Sequence, residues 1–154
     1  VAKSSIPDSG EGLFAKHDIP ADRVVSFYNG VRLTLEEVDA RDWTLNSNTI
    51  SLQYEDDEGE DKTVIIDVPK PYDSTVHYCA SLGHKVNHSS TRCNSKYDTF
   101  DHPRFGLIKC IRTLKPVKKG QEFLVTYDYE HGEDGQDVPD WYKKEVAEAR
   151  DQTL

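Results

Sequence analysis

A mostly β domain with a few short helices is the fold class this chain predicts. Three observations predict it. Runs of β-branched and aromatic residues recur along the chain, Gly, Pro, Asn and Asp punctuate them, and helical signals are confined to short stretches.

The elements follow in order. Gly10-Glu11-Gly12-Leu13-Phe14-Ala15 reads as a Gly-rich turn entering a strand. Val24 to Gly30 is a β-branched and aromatic run closed by Asn29-Gly30, a strong strand-and-turn signal. Thr34-Leu35-Glu36-Glu37 has capping-box spacing, so a short helix is expected through about Arg41. Thr49 to Tyr54 alternates polar and apolar residues, and Lys62 to Val68 is a second strand that stops at Pro69. Between them, Glu55 to Asp61 reads as a solvated acidic hairpin tip, because it lacks the ligand spacing of an EF-hand.

Asp73 to Leu82 is expected to form a short helix, and Phe105 to Arg112 a strand. Pro116 to Glu122 is a turn, and Phe123 to Tyr127 the last strong strand. His131 to Asp137, rich in Gly and acidic residues, is expected to be mobile. Pro139-Asp140 then opens a terminal helix, with Tyr142, Val146 and Ala149 on one face at i, i+4 and i+7. No internal repeat is visible.

A length of 154 residues bounds the chain to about one domain, long enough to bury a real core. The net charge of −9 argues against a nucleic-acid binder, which would show a basic face, and favours a Lys/Arg-rich peptide as partner. Cys79, Cys93 and Cys110 are odd in number and widely spaced, so reduced thiols in an intracellular compartment are expected rather than a disulfide framework. No apolar run approaches bilayer length and no signal peptide is visible, so no membrane partner is expected. The chain starts at Val1 and holds no methionine, which suggests a domain excised from a longer protein.

Several constellations can be weighed for chemistry. His84 and His88 stand four apart, but Lys85 occupies the place where a zincin needs Glu, and Gly83 opposes a helix, so no metal site is expected. Cys93 lies in a polar loop beside Arg92, without a local context that would make it a nucleophile. Buried thiols are expected for Cys79 and Cys110. Gly10-Glu11-Gly12 is too short to cradle a phosphate, yet it permits close backbone approach to a ligand. Tyr28, Tyr97, Tyr127 and Tyr129 sit at strand ends or loops. Singly each suits a packed, half-buried tyrosine; together they can form an aromatic sleeve for an alkyl-ammonium stem.

Taken in order, Gly10-Glu11-Gly12-Leu13-Phe14, Phe27-Tyr28-Asn29-Gly30, Asn87-His88-Ser89 and Glu122 to Tyr129 resemble the SET-domain protein lysine methyltransferases. Within that family, Ser26 to Arg32, Arg41-Asp42-Trp43, Tyr78 to Lys85, His102 to Gly106, Ile108 to Leu114 and Trp141-Tyr142 are similar to the SET7/9 type, which monomethylates a lysine of the histone H3 tail and lysines of other proteins. The resemblance implies a β-clip-like fold of small curved sheets with a C-terminal pseudoknot. It divides the chain into a SET catalytic domain at 1–130 and a post-SET-like segment with a helix at 131–154.

It also implies roles. Ser9, Gly10 and Glu11 would hold S-adenosylmethionine, whose product is S-adenosylhomocysteine. Asn87 and His88 would bind its adenine and neighbouring parts, Lys85 would approach its carboxylate, Trp141 would stack on the adenine, and Glu145 would hydrogen-bond nearby. Tyr28, Tyr97, Tyr127 and Tyr129 would line the lysine channel, with Tyr127 carrying the key hydroxyl. Asp39, Thr49, Ser51 and Lys109, with Tyr127 and Tyr129, would contact the peptide. A monomer acting in the nucleus and on the chromosome, and in the cytoplasm as a further compartment, is what the resemblance suggests. A non-catalytic peptide-binding module of the same fold, or an enzyme with only non-histone targets, are the alternatives. The chain departs from the subtype in its longer acidic hairpin, in one extra residue and Arg92 within Asn87 to Asn94, and in Asp128 between the tyrosines.

Overall fold

The computed structural model describes residues 1–77, 81–127 and 140–151, without the side chains of 146 and 149–151. Among these residues, ten strands form four small sheets, accompanied by two α-helices. Strands β1 (Ala2–Lys3) and β2 (Glu11–Gly12) pair antiparallel at the start of the chain. Strand β3 (Val24–Tyr28) leads through Asn29-Gly30 into β4 (Val31–Leu33). Asn29-Gly30 is not a hairpin turn, contrary to its signal. β3 belongs to one sheet and β4 to another, and Gly30 is needed because an added Cβ would lie 2.0 Å from the Asp67 carbonyl oxygen.

Helix α1 (Leu35–Ala40) starts on the expected capping box: Glu37 N donates to Thr34 Oγ1 at 3.1 Å, and Thr34 N donates to Glu37 Oε2 at 2.8 Å. Strands β5 (Thr49–Glu55) and β6 (Asp61–Asp67) make the expected hairpin, in register from Thr49 opposite Asp67 to Glu55 opposite Asp61. Its acidic tip is a solvated turn in which Asp56 Oδ1 accepts from the backbone N–H of Glu58 and Glu60, both at 2.9 Å. With β4 on the other edge of β6, these strands form the order β4-β6-β5.

The helix expected from Asp73 is not formed: residues 73–77 run through successive turns, and 78–80 lie outside the described residues. The reason is local competition for backbone groups. Ser74 N donates to Pro71 O, His77 N to Ser74 O, and the Asp73 carbonyl is engaged by His84 Nε2 at 3.1 Å. A short 3-10 turn, Gly83–Lys85, comes next. Gly83 is required there because a Cβ would meet the Tyr28 Cβ at 2.7 Å. The turn delivers the chain into β7 (Asn87–His88).

Strand β8 (Ser95–His102), not among the strands expected, pairs along its whole length with β9 (Gly106–Thr113), itself paired to β3. The last expected strand shortens to β10 (Leu124–Val125), and α2 (Asp140–Asp151) is the terminal helix. Among the described residues no helix is long and apolar enough to cross a membrane. Cys110 is buried, as expected, and Cys93 is half-buried; both are free thiols, while Cys79 lies outside the described residues. The segment 131–137 expected to be mobile also lies outside them.

Two apolar clusters make the core. One gathers Leu13, Val86, Ile111, Val117, Phe123 and Val125; the other gathers Tyr28, Leu52, Ile66 and Val68. Tyr97 packs against both, so the seam between the clusters is lined by tyrosine.

Candidate active site

The site is built on a strand pairing between distant parts of the chain. β7 lies parallel to β10, Asn87 opposite Leu124 and His88 opposite Val125. Ser89 N donates to Val125 O at 2.9 Å on that edge. On the opposite edge Asn94 grips the same segment: its N–H donates to Leu124 O, its Nδ2 donates to Glu122 O, and its Oδ1 accepts from Leu124 N at 2.9 Å. Segment 122–127 therefore runs beneath the loop 87–94, with its backbone groups held along both edges by hydrogen bonds.

His88 is buried at the end of that pairing. The backbone N–H of Tyr127 donates to its Nδ1 at 2.8 Å, so Nδ1 is an acceptor and the neutral ring carries its proton on Nε2. Nε2 lies 2.9 Å from Ser90 Oγ and 3.7 Å from Glu145 Oε2. Glu145 Oε1 in turn accepts from Ser90 N at 2.9 Å, which ties α2 to the loop. The first turn of α2 covers the imidazole, with Tyr142 at 4.7 Å and Trp141 at 5.9 Å between ring centroids.

Three of the four candidate phenols form one row. Tyr28 and Tyr97 lie 6.3 Å apart, and Tyr97 and Tyr127 6.2 Å apart and stacked. Strand register explains the first pair. Tyr28 faces Lys109 across β3 and β9, and Tyr97 faces Ile111 across β8 and β9. Since Lys109 and Ile111 are two apart on β9, all four project from one sheet face. Tyr127 joins the row from the end of the segment after β10, and its ring also meets His88 at 5.2 Å.

Burial sets the electrostatics at the Tyr28 end of the row. Burial, reinforced by Tyr127 and Asp67, pushes the Tyr28 phenol far above its ordinary value, so it stays protonated. The Tyr127 hydroxyl donates to Val86 O at 2.6 Å, which commits its proton. Burial also lowers the Lys109 ammonium below its usual range, against the opposing pull of Asp98.

A polar flank lies beside the row. Lys85 Nζ donates to Glu11 Oε2 at 2.6 Å; this bond and the Lys85 charge hold the Glu11 carboxyl below its ordinary value. Asn87 Nδ2 donates to Glu11 O at 2.9 Å and to Glu122 Oε1 at 3.1 Å. Gly10 takes a φ of +68°, a conformation natural to glycine, in the turn that brings Glu11 to this flank.

The structure thus groups Gly10, Glu11, Lys85 and Asn87 on one flank, His88, Trp141 and Glu145 at the first turns of α2, and Tyr28, Tyr97, Tyr127 and Lys109 along the row, while the described bond of Ser9 is from its N–H to Ile6 O at 3.3 Å. Tyr129 lies outside the described residues. Thr49 and Ser51 occupy the face of β5 opposite Ile50 and Leu52, the two that pack with Tyr28, and Asp39 is exposed on α1; no described contact joins these three to the phenols. Asn94, Glu122 and Tyr142 took no part in the site expected from sequence. A carboxylate abutting the apolar run Phe123-Leu124-Val125 was the available signal for Glu122.

The SET domain family matches residues 10–128 of this chain. A curated relative, Histone-lysine N-methyltransferase SETD7 of Halocynthia roretzi, is 52% identical over 149 residues. The chain belongs to the SET-domain family. That alignment covers 94% of the chain but 36% of the relative, so the chain spans about a third of the relative's length. Its small sheets and few short helices are consistent with the SET fold.

Proposed function

We propose that this SET-domain chain is an S-adenosylmethionine-dependent protein-lysine N-methyltransferase that monomethylates a lysine of the histone H3 tail and lysines in other proteins. The observation that carries the reading is the continuous row from buried Tyr28 through Tyr97 to Tyr127, abutting Asn87-His88. The printed name of the relative, a histone-lysine N-methyltransferase, supports the substrate class.

The polar flank fits the cofactor chemically. Lys85 offers a cation for a carboxylate, Asn87 Oδ1 an acceptor for an N–H group, and the half-exposed indole of Trp141 a face for adenine. When bound, S-adenosylmethionine supplies a methyl group on a positive sulfonium. The chain's residues do the rest by orientation and desolvation. A lysine amine, with an ordinary pKa of about 10.4, would lose its proton more readily where it reaches buried Tyr28 between half-buried Tyr97 and Tyr127, because burial disfavours the ammonium. The Tyr127 oxygen accepts an amine N–H and so aims the nitrogen lone pair along the row. Tyr28 and Tyr97 hydroxyls set how many methyl groups the space admits. His88, by accepting from the Tyr127 backbone N–H, fixes where that oxygen sits. Helix α2 acts as the closing element, lying over His88 through Trp141 and Tyr142.

A monomer working in the nucleus on chromatin is part of the same proposal. Methylation of a lysine-peptide array, read by mass, tests it, together with thermal stabilisation by S-adenosylhomocysteine. Monomethyl product and a rise in melting temperature are expected. No transfer and no stabilisation would overturn the reading.

A further inference from the structure

Glu122 is a buried carboxylate whose charge is met by hydrogen bonds rather than by any described cation. Ser4 Oγ donates to Oε1 at 2.7 Å, Ser5 N to Oε2 at 2.8 Å, Ser5 Oγ to the same Oε2, and Asn87 Nδ2 to Oε1 at 3.1 Å. Gly12 is pressed so close that an added Cβ would lie 2.1 Å from Oε1. An ionised carboxylate only accepts, so Asn87 must turn its NH2 toward it. The second acceptor of Nδ2, the Glu11 carbonyl at 2.9 Å, is likewise unable to donate. Two acceptor-only partners fix the carboxamide's orientation, which coordinates alone ordinarily leave ambiguous. The oxygen Oδ1, which makes no hydrogen bond among the described residues, is left to meet a ligand.

We propose that Glu122 is a positioning residue: it locks the Asn87 amide so that Oδ1 is presented to an N–H group of the cofactor. The inference rests on the reading of Asn87 as a cofactor residue. In Glu122→Gln the new NH2, set against Asn87, would favour the reversed amide and present Nδ2 to the cofactor's own donor.

The test measures S-adenosylhomocysteine binding by calorimetry and S-adenosylmethionine and peptide KM separately. Glu122→Gln is expected to weaken S-adenosylhomocysteine binding by about tenfold or more, as loss of one hydrogen bond to a charged group would. The KM for S-adenosylmethionine rises in parallel, while the peptide KM moves by less than about twofold. In an Asn87→Ala background the same change adds less than about twofold, because no amide remains to be oriented. Unaltered S-adenosylhomocysteine affinity in Glu122→Gln, equal losses for both ligands, or losses additive with Asn87→Ala would overturn the inference. Should Glu122→Gln fail to fold, the unmodified chain still decides by NMR: Asn87 side-chain amide protons slow to exchange, with and without S-adenosylhomocysteine, are expected, and fast exchange overturns the lock. If the unmodified chain binds no S-adenosylhomocysteine, the functional reading falls and the inference with it. Binding by the unmodified chain with no change in Glu122→Gln overturns the inference alone.

Discussion

On the proposed function, Tyr97 is the residue on which product multiplicity would turn. Among the described residues it alone packs against both core clusters, and its neighbours Tyr28 and Tyr127 stand 6.3 and 6.2 Å away. Tyr97→Phe keeps the ring and removes the hydroxyl, so any water it anchors leaves and space for a second methyl opens. Dimethylated peptide is expected by mass spectrometry; only monomethyl product from this variant would refute the steric account. His88→Ala acts differently. It strips the acceptor from the part-buried Tyr127 N–H, at a cost of about 1 kcal/mol, and lets the Tyr127 oxygen wander. A misplaced catalytic oxygen lowers turnover by roughly a hundredfold, as small misalignments do, and Tyr127→Ala removes it altogether. Circular dichroism should show both variants folded; near-normal turnover would remove the role of either. Gly12→Ala belongs here too. Its methyl would strike the Glu122 carboxylate and disturb the bonds from Ser4, Ser5 and Asn87, so urea unfolding should report a loss of about 2 kcal/mol, on the scale of a disrupted buried polar group.

At the scale of elements, α2 meets the site through a hydrogen bond and aromatic ring contacts. Glu145 accepts from Ser90 N, and Trp141 and Tyr142 then lie against His88. Glu145→Ala should weaken S-adenosylhomocysteine binding several-fold while barely moving the melting temperature of the free chain, since surface contacts contribute little; calorimetry beside a thermal scan separates the two. Which elements were legible in the sequence follows the same physics. The α1 capping box and the β5–β6 hairpin could be read because their signals are local: a side chain three residues from its backbone partner, and an alternation around an acidic turn. β8 was not read, because its partner β9 supplies the pairing and its own residues Lys96, Asp98 and Asp101 look like loop. The site was legible as residue types at strand ends, gathered by a family resemblance. That Tyr28, Tyr97 and Lys109 share a sheet face is a fact of register, which no single run of residues carries.

For the whole molecule, charge governs. With a net charge of −9, encounter with a basic peptide should slow as salt rises, so the peptide KM should climb between low and physiological ionic strength while the S-adenosylmethionine KM changes less. An uncharged peptide showing the same salt response would contradict this. Acid stability has a definite sign. Burial tends to raise the Glu122 carboxyl, but the bonds from Ser5, Ser4 and Asn87 outweigh it and hold it below the ordinary range. Asp98, bonded to Arg112, is likewise lowered against its partial burial. A depressed carboxyl stabilises the fold fully above its unfolded pKa, about 4, and that contribution is lost as pH falls through the folded value. Stability should therefore be level near neutrality and fall below about pH 4, and Glu122→Gln should flatten that limb in chemical unfolding. A limb of unchanged steepness would show that Glu122 titrates alike in both states.

The passage of segment 122–127 beneath the loop 87–94 bears on how the molecule comes into being. Neither β7 nor β10 has another strand to pair with in its two-stranded sheet, and Asn94 satisfies its side chain on residues that follow it in synthesis. A nascent chain emerging from the ribosome thus displays Asn87 and His88 unsupported until Leu124 and Val125 arrive. On the proposed function, catalytic competence would come late and all at once, and a ribosome-stalled fragment ending before Glu122 should be inert and sticky rather than partly active.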